Sequence, residues 1–233
     1  MKILANDGIS SDAIAAMEKA GFTVVTKNVP QAELVDAINK ENYIALLVRS
    51  ATTARKELID ACPGLKLIGR GGVGMDNIDV AYAKSKGLEV INTPGASSQS
   101  VAELVIGTMF SLSRSLFHSH RMMPVSGEKD FNALKKKYGN GQELRGKTLG
   151  IVGFGRIGQS VASYALGNGM KVIAIDIYSN TVDIIVPIDG FGEAKVSITP
   201  KRDLNEVIGE LDYISLHVPK QPNGEAVIGE KEF

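Results

Sequence analysis

The stretch that most constrains the fold is Leu149-Gly150-Ile151-Val152-Gly153-Phe154-Gly155-Arg156-Ile157-Gly158. A short apolar run ends in glycines spaced Gly-x-Gly-x-x-Gly. Val161, Ala162, Ala165 and Leu166 then recur at helical spacing, and Lys171 to Ile175 reads as a second buried strand closed by Asp176. Strand, turn, helix and strand in one short unit suit a dinucleotide. Gly153 allows the tight turn, Gly155 lets the backbone approach a pyrophosphate, and Gly158 lets helix and strand pack closely. The helix start offers free N–H groups and a positive dipole end to phosphates. Asp176 stands where a carboxylate accepts ribose hydroxyls and repels a 2′-phosphate, so NAD is expected rather than NADP. The glycine spacing alone is weak evidence; both strands and the acid make it specific.

The length of 233 residues suits one large domain or two small ones, and 44% hydrophobic residues supply ample core. Basic and acidic residues balance at 26 each, which leaves no electrostatic footprint for nucleic acid or an anionic membrane. The single cysteine, Cys62, excludes an internal disulfide and reads as a packing residue before Pro63. The chain opens on a strand rather than a signal peptide, and no apolar run reaches membrane-spanning length. The expected compartment is the cytoplasm.

The first part of the chain alternates strands and helices. Strands are expected at Ile3–Ala5, Phe22–Thr26, Tyr43–Val48, Leu65–Ile68 and Leu88–Asn92. Helices are expected after the capping Ser10-Ser11-Asp12, around Leu34, Val35 and Ile38, over Thr53–Ala61, and over Val80–Lys86. This alternation calls for an α/β fold with a parallel sheet covered on both faces. Ligands of such sheets bind beyond the carboxyl ends of the strands, where Arg49-Ser50 and the turn Gly71-Gly72-Val73-Gly74 both fall. A guanidinium beside exposed backbone N–H groups makes an anion site.

Ser98 to Phe117 is the longest helical pattern, with too many apolar positions for one face, so it is expected to be buried or covered by a partner. Glu103 within it is expected to pair locally, and His118 and His120 to be solvated. Met123 to Gln142 is polar, with Gly127, Gly139 and Gly141 and a lysine run at 135–137, and reads as an exposed arm. Ser179 to Pro200 shows no clean periodicity. Asp203 can cap a helix through Val207 and Ile208, and Tyr213–Val218 reads as a strand stopped by Pro219. His217 then lies near a strand's carboxyl end. It is open to two readings, a proton donor or a residue packed beside the nucleotide, and the second is favoured.

Val48-Arg49-Ser50, Gly69 to Asp79, Asn92-Thr93-Pro94-Gly95, Val101-Ala102-Glu103, Gly153 to Gly158 and Leu216-His217-Val218-Pro219 follow one another at intervals that resemble the NAD-dependent D-2-hydroxyacid dehydrogenases. The resemblance implies two Rossmann-like, doubly wound parallel-sheet domains with the active site in the cleft between them. It assigns 1–97 to substrate binding and 98–233 to NAD binding, the second domain being incomplete. It places the helix 98–117 at a dimer interface, implying a homodimer or higher oligomer. By residue match, Arg49, Ser50, Gly72 and Val73 hold the acid groups of a small anionic substrate, and Val73 also borders the nicotinamide. Arg156 and Ile157 touch the pyrophosphate, Asp176 the adenosine ribose, and His217, Val218 and Pro219 the nucleotide edge.

The expected reaction is NAD-dependent oxidation of a D-2-hydroxy acid, 3-phosphoglycerate first, in serine biosynthesis. Glyoxylate, hydroxypyruvate or D-lactate are the alternative substrates on this frame, and a dinucleotide-sensing corepressor is the alternative outside enzymes. The family's catalytic arginine, glutamate and histidine have no match up to Phe233. No catalytic residue is therefore expected within these residues, no metal is expected, and the chain alone is expected to lack turnover.

Overall fold

The computed structural model describes residues 1–221, 224–230 and 232. The chain forms two compact units, Met1–Ser97 and Ser98–Phe233.

The first unit runs β1 (Lys2–Ala5), α1 (Ser11–Lys19), β2 (Thr23–Val25), α2 (Leu34–Glu41), β3 (Tyr43–Val48), α3 (Lys56–Ala61), β4 (Leu67–Arg70), α4 (Val80–Ser85) and β5 (Glu89–Asn92). Ser10 caps α1, its hydroxyl accepting from the Ala13 N–H at 3.3 Å. Asn42 ends α2 in the left-handed region at φ 55°, a conformation its short amide tolerates. The strands form one parallel sheet in the order β2-β1-β3-β4-β5. β3 is central, and its uninterrupted Tyr-Ile-Ala-Leu-Leu-Val run packs on both faces of the sheet. Leu4, Leu34, Ile38, Leu46 and Ile68 are fully buried at the core, each contributing about 1.5–3 kcal/mol by leaving water. Cys62 is also buried there, as a packing residue.

The helix expected over Thr53–Ala61 begins only at Lys56. Ala54 is instead drawn into a parallel bridge with Ile78, through Ala54 N–H to Asn77 O and Asp79 N–H to Ala54 O, each near 3 Å. Asp79 then accepts from the Lys56 N–H and from the Arg55 guanidinium, which fixes where helical geometry starts.

The second unit opens with α5 (Ser98–Ser113) and α6 (Leu116–Tyr138). The single helix expected over 98–117 is broken by Ser115, which sits at φ 52°. The stretch 123–142 is not an arm for most of its length: α6 runs through it, with Pro124 inside and a kink at Asp130. Of its side chains only Leu134 is buried, so the apolar period that would mark a helix is thin. Lys135, Lys136 and Lys137 lie in its last turn, where cations complement the dipole.

β6 (Thr148–Val152), α7 (Arg156–Gly167) and β7 (Lys171–Ile175) follow as one βαβ unit, and β10 (Tyr213–Leu216) pairs with the other edge of β6. The parallel order is β10-β6-β7. Lys201 extends it by one bridge beside Ile175, through Asp176 N–H to Lys201 O and Lys201 N–H to Ala174 O.

The chain reaches Lys201 by a β-hairpin, β8 (Val182–Ile188) and β9 (Gly192–Ile198), where a parallel crossover is ordinarily a helix. The hairpin lies on α7. Ile184 is buried in the core that contains Val161 and Ala165, and Ser163 Oγ donates to Ile185 O at 2.6 Å. The stretch 179–200, whose sequence shows no clean periodicity, therefore holds two paired strands. The helix expected after Asp203 is two short 3-10 turns, although Asp203 does cap the first, accepting from the Asn205 N–H. Among the described residues no helix is long and apolar enough to cross a membrane.

Candidate functional site

In the second unit the glycine turn has the geometry its spacing demands. Gly153 sits at φ +91°, and a Cβ there would lie 2.6 Å from His217 O. A Cβ at Gly158 would lie 2.2 Å from Gly153 O and 3.1 Å from Ile151 Cγ2, so only glycine lets α7 approach β6 this closely. Gly155 differs: a Cβ there would meet nothing within 4 Å. Its freedom from a side chain leaves open space over the backbone, which is where a pyrophosphate would come.

No side chain caps α7 at Gly155. Its first N–H groups, at Arg156 and Ile157, therefore face outward with the positive dipole end, beside the exposed Arg156 side chain.

Asp176 follows β7 at the rim of this turn. One carboxylate oxygen accepts from the Phe154 N–H at 2.6 Å and the other from the Tyr178 N–H at 3.0 Å. These bonds orient the carboxylate and leave each oxygen a further lone pair for a ribose hydroxyl. The strand ends are tied together here, through Gly153 N–H to Ile175 O and His217 N–H to Val152 O. His217 Nε2 shares a 2.9 Å hydrogen bond with Ser215 Oγ, and burial pushes the imidazole pKa below its ordinary value. The ring is engaged with its own strand. Val218 packs into the small core with Val152 and Ile175, and Pro219 is exposed.

Glu103 pairs locally, accepting from Tyr164 Oη at 2.8 Å and from Gln99 Nε2 at 3.3 Å. His118 and His120 are exposed. Among the described residues no group of three or more His, Cys, Asp or Glu side chains could hold a metal ion.

In the first unit, the sheet order puts the topological switch between β1 and β3, the place where ligands of such sheets bind beyond the carboxyl ends. Arg49 and Ser50 follow β3 at that point, and both are exposed. The glycine turn after β4 lies beside them: Gly71 N–H donates to Val48 O at 2.9 Å, and a Cβ at Gly71 would be 3.5 Å from Arg49 Cγ. The turn is held in place by Asn92 Nδ2, which donates to Val73 O at 2.7 Å. Gly72 is half-buried and Val73 exposed.

Three polar residues here escaped sequence reasoning. Asp7, just past β1, accepts at Oδ2 from the N–H groups of Arg49 and Thr52, at 2.7 and 3.0 Å. Its Oδ1 accepts from Thr52 Oγ1 at 2.5 Å. Burial pushes its pKa up, but the Thr52 hydroxyl and the N–H groups of Arg49, Thr52 and Ala51 outweigh this and hold it below the ordinary value. Asn77 Nδ2 donates to Arg49 O and Thr52 O at 2.8 and 2.6 Å, and Arg70 Nε to Arg49 O at 3.1 Å. Asp7 stands two residues beyond β1, at the same sheet end as Arg49.

The fold is α/β throughout, with a glycine turn opening α7 in the second unit and a cluster of polar residues at the strand ends of the first. More narrowly, the chain belongs to the D-isomer specific 2-hydroxyacid dehydrogenase family, whose catalytic-domain model matches residues 3–197. It is 38% identical over its whole length to D-3-phosphoglycerate dehydrogenase of Methanocaldococcus jannaschii, and spans 41% of that protein. It is 40% identical to hydroxypyruvate reductase of Thermotoga maritima over 94% of this chain and 65% of that one. The NAD+-bound 3-phosphoglycerate dehydrogenase of Entamoeba histolytica superposes with a TM-score of 0.70 at 29% identity, covering 100% of this chain and 67% of that one.

Proposed function

We propose that the protein is an NAD-dependent oxidoreductase acting on a D-2-hydroxy acid, with 3-phosphoglycerate as its first substrate. The observation that carries this reading is Asp176, held by two backbone N–H groups at the rim of a glycine turn that opens α7. The open space over Gly155 and the uncapped helix start fit a pyrophosphate. The Asp176 carboxylate fits ribose hydroxyls and opposes a 2′-phosphate. Bound there, NAD supplies the hydride acceptor.

The chain's own residues then bind and orient. Arg156, Ile157 and Gly158 present N–H groups to the phosphates, and His217, Val218 and Pro219 border the nucleotide. His217 is assigned to that edge rather than to proton transfer, because its Nε2 is engaged by Ser215 Oγ on its own strand. Arg49, Ser50, Gly72 and Val73 hold the anionic groups of the acid. The single thiol, buried at Cys62, suits the cytoplasm. The exposed apolar side chains of α5 and α6 are assigned to a homodimer contact.

Hydroxypyruvate is the second substrate reading, favoured by the Thermotoga maritima relative. Steady-state kinetics of the intact protein with 3-phosphoglycerate, hydroxypyruvate, glyoxylate and D-lactate test the assignment. The highest kcat/KM is expected with 3-phosphoglycerate and NAD. A higher value with hydroxypyruvate and NADH replaces the first substrate with the second, and no turnover with any of them contradicts the reading.

A further inference from the structure

We infer that Asp7 is a positioning residue for substrate recognition, holding the Arg49–Thr52 turn so that the Arg49 and Ser50 side chains face the bound acid. The inference rests on the anion-site reading above. Its basis is how the main chain of this turn is used.

The N–H groups of Arg49 and Thr52 converge on one oxygen of Asp7, and the Thr52 hydroxyl on the other. Converging backbone N–H groups are a ready anion site. Here an internal carboxylate takes it, so the N–H groups of Arg49 and Thr52 are closed to substrate. The carbonyls are taken as well: Asn77 Nδ2 holds those of Arg49 and Thr52, and Arg70 Nε adds a second bond to Arg49. At the end of β3 the Arg49 and Ser50 side chains are thus left for recognition, beside Gly72 and Val73 of the neighbouring turn. Among the described residues the Arg49 guanidinium has no hydrogen-bond or ion-pair partner, so the turn's backbone is what fixes the point from which it reaches out.

The polarity of the network is also fixed. Asn6 is buried; its Nδ2 donates to Thr52 Oγ1 at 2.9 Å and to Val29 O at 3.0 Å, and its Oδ1 accepts from the Val29 N–H. Thr52 Oγ1 therefore receives from Asn6 and gives its proton to Asp7. A chain of bonds running one way reinforces each member. Asp7 terminates it, as the acceptor that needs no donor hydrogen of its own. Replacing it removes the acceptor for the turn's donors at once, while leaving the sheet and the NAD residues untouched.

The test compares Asp7→Ala, Asp7→Asn, Arg49→Ala and the Asp7→Ala/Arg49→Ala double variant in the intact protein. The readouts are the KM for 3-phosphoglycerate, the KM for NAD and the melting temperature. A misplaced binding group costs on the order of 10- to 100-fold. Asp7→Ala should raise the KM for the acid by about that factor and leave the KM for NAD within about twofold. Asp7→Asn keeps the shape and one acceptor oxygen, and should raise the KM by a smaller factor, about three- to tenfold. Because Asp7 acts through Arg49, adding Asp7→Ala to Arg49→Ala should cost less than about threefold more.

An unchanged KM in Asp7→Asn, full additivity in the double variant, or a parallel rise in the KM for NAD overturns the inference. If Arg49→Ala raises the KM for the acid and the Asp7 variants do not, only the inference fails. If Arg49→Ala itself leaves that KM unchanged, the anion-site reading fails and the inference with it.

Discussion

At the scale of single residues, the three motif glycines separate into two kinds. Gly153 and Gly158 are required by the fold, because a Cβ at either would press on backbone atoms at well under 3 Å. Gly155 is required by nothing within the chain, since a Cβ there meets only open space. Alanine substitution should therefore divide the motif. Gly158→Ala should destabilise the protein by roughly 1–3 kcal/mol or more, because it overpacks the joint between α7 and β6. Gly155→Ala should unfold within about 0.5 kcal/mol of the unsubstituted protein yet bind NAD much more weakly, since the methyl group occupies the pyrophosphate's approach. Urea unfolding and NAD titration of both variants check this. Equal losses of stability at the two positions would contradict the division. Asp176 and the glycines could be read in the sequence because a motif carries their roles at fixed spacing. Asp7 could not, because its partners lie 42 and 45 positions away and nothing local marks an acid that serves another strand's loop.

At the scale of elements, strands buried on both faces were the legible part. Tyr43–Val48 and the run before Gly153 are continuous apolar segments bounded by turn residues, and both are central strands. The hairpin β8–β9 was missed although its signal was present. Val182, Ile184 and Val186 on one strand and Ala194, Val196 and Ile198 on the other alternate inward. Ile185, Pro187 and Ile188 blurred that period by placing apolar residues outward. α6 was missed for the opposite reason: it buries almost nothing, so the polar composition and glycines of 123–142 outweighed its period.

The hairpin covers α7 in place of a crossover helix, and Ile184 anchors it. Ile184→Ala should cost about 2–5 kcal/mol, while Phe191→Ser at the exposed hairpin tip should cost less than about 0.5 kcal/mol. Thermal unfolding of both variants measures the difference. A cheap Ile184→Ala would show that the hairpin does not contribute to the core.

At the scale of the molecule, one group of the apolar residues left in water lies on the neighbouring helices α5 and α6. Leu104 and Leu112, two turns apart on α5, are 70% and 69% exposed, and Leu116, Phe117 and Val125 on α6 are exposed as well. The other side of α5 is spent on the core, through Ala102, Ile106 and Met109. Exposed apolar surface of this kind is the mark of an interaction surface, and a second copy is the proposed occupant. Sedimentation of the intact protein should give a dimer or higher oligomer. Leu104→Asp with Leu112→Asp should shift it towards monomer without lowering the affinity for NAD by more than about twofold. A monomeric unsubstituted protein would contradict the assignment.

The most direct test of the central claim is calorimetric titration of the intact protein and its Asp176→Ala variant with NAD and with NADP. The account predicts that the unsubstituted protein binds NAD more tightly than NADP by about tenfold or more. It also predicts that Asp176→Ala weakens NAD and narrows that gap, as loss of a charged hydrogen-bond acceptor worth about 1.5–3 kcal/mol requires. Equal affinity for the two cofactors in the unsubstituted protein, or a variant that binds NAD unchanged, would contradict it.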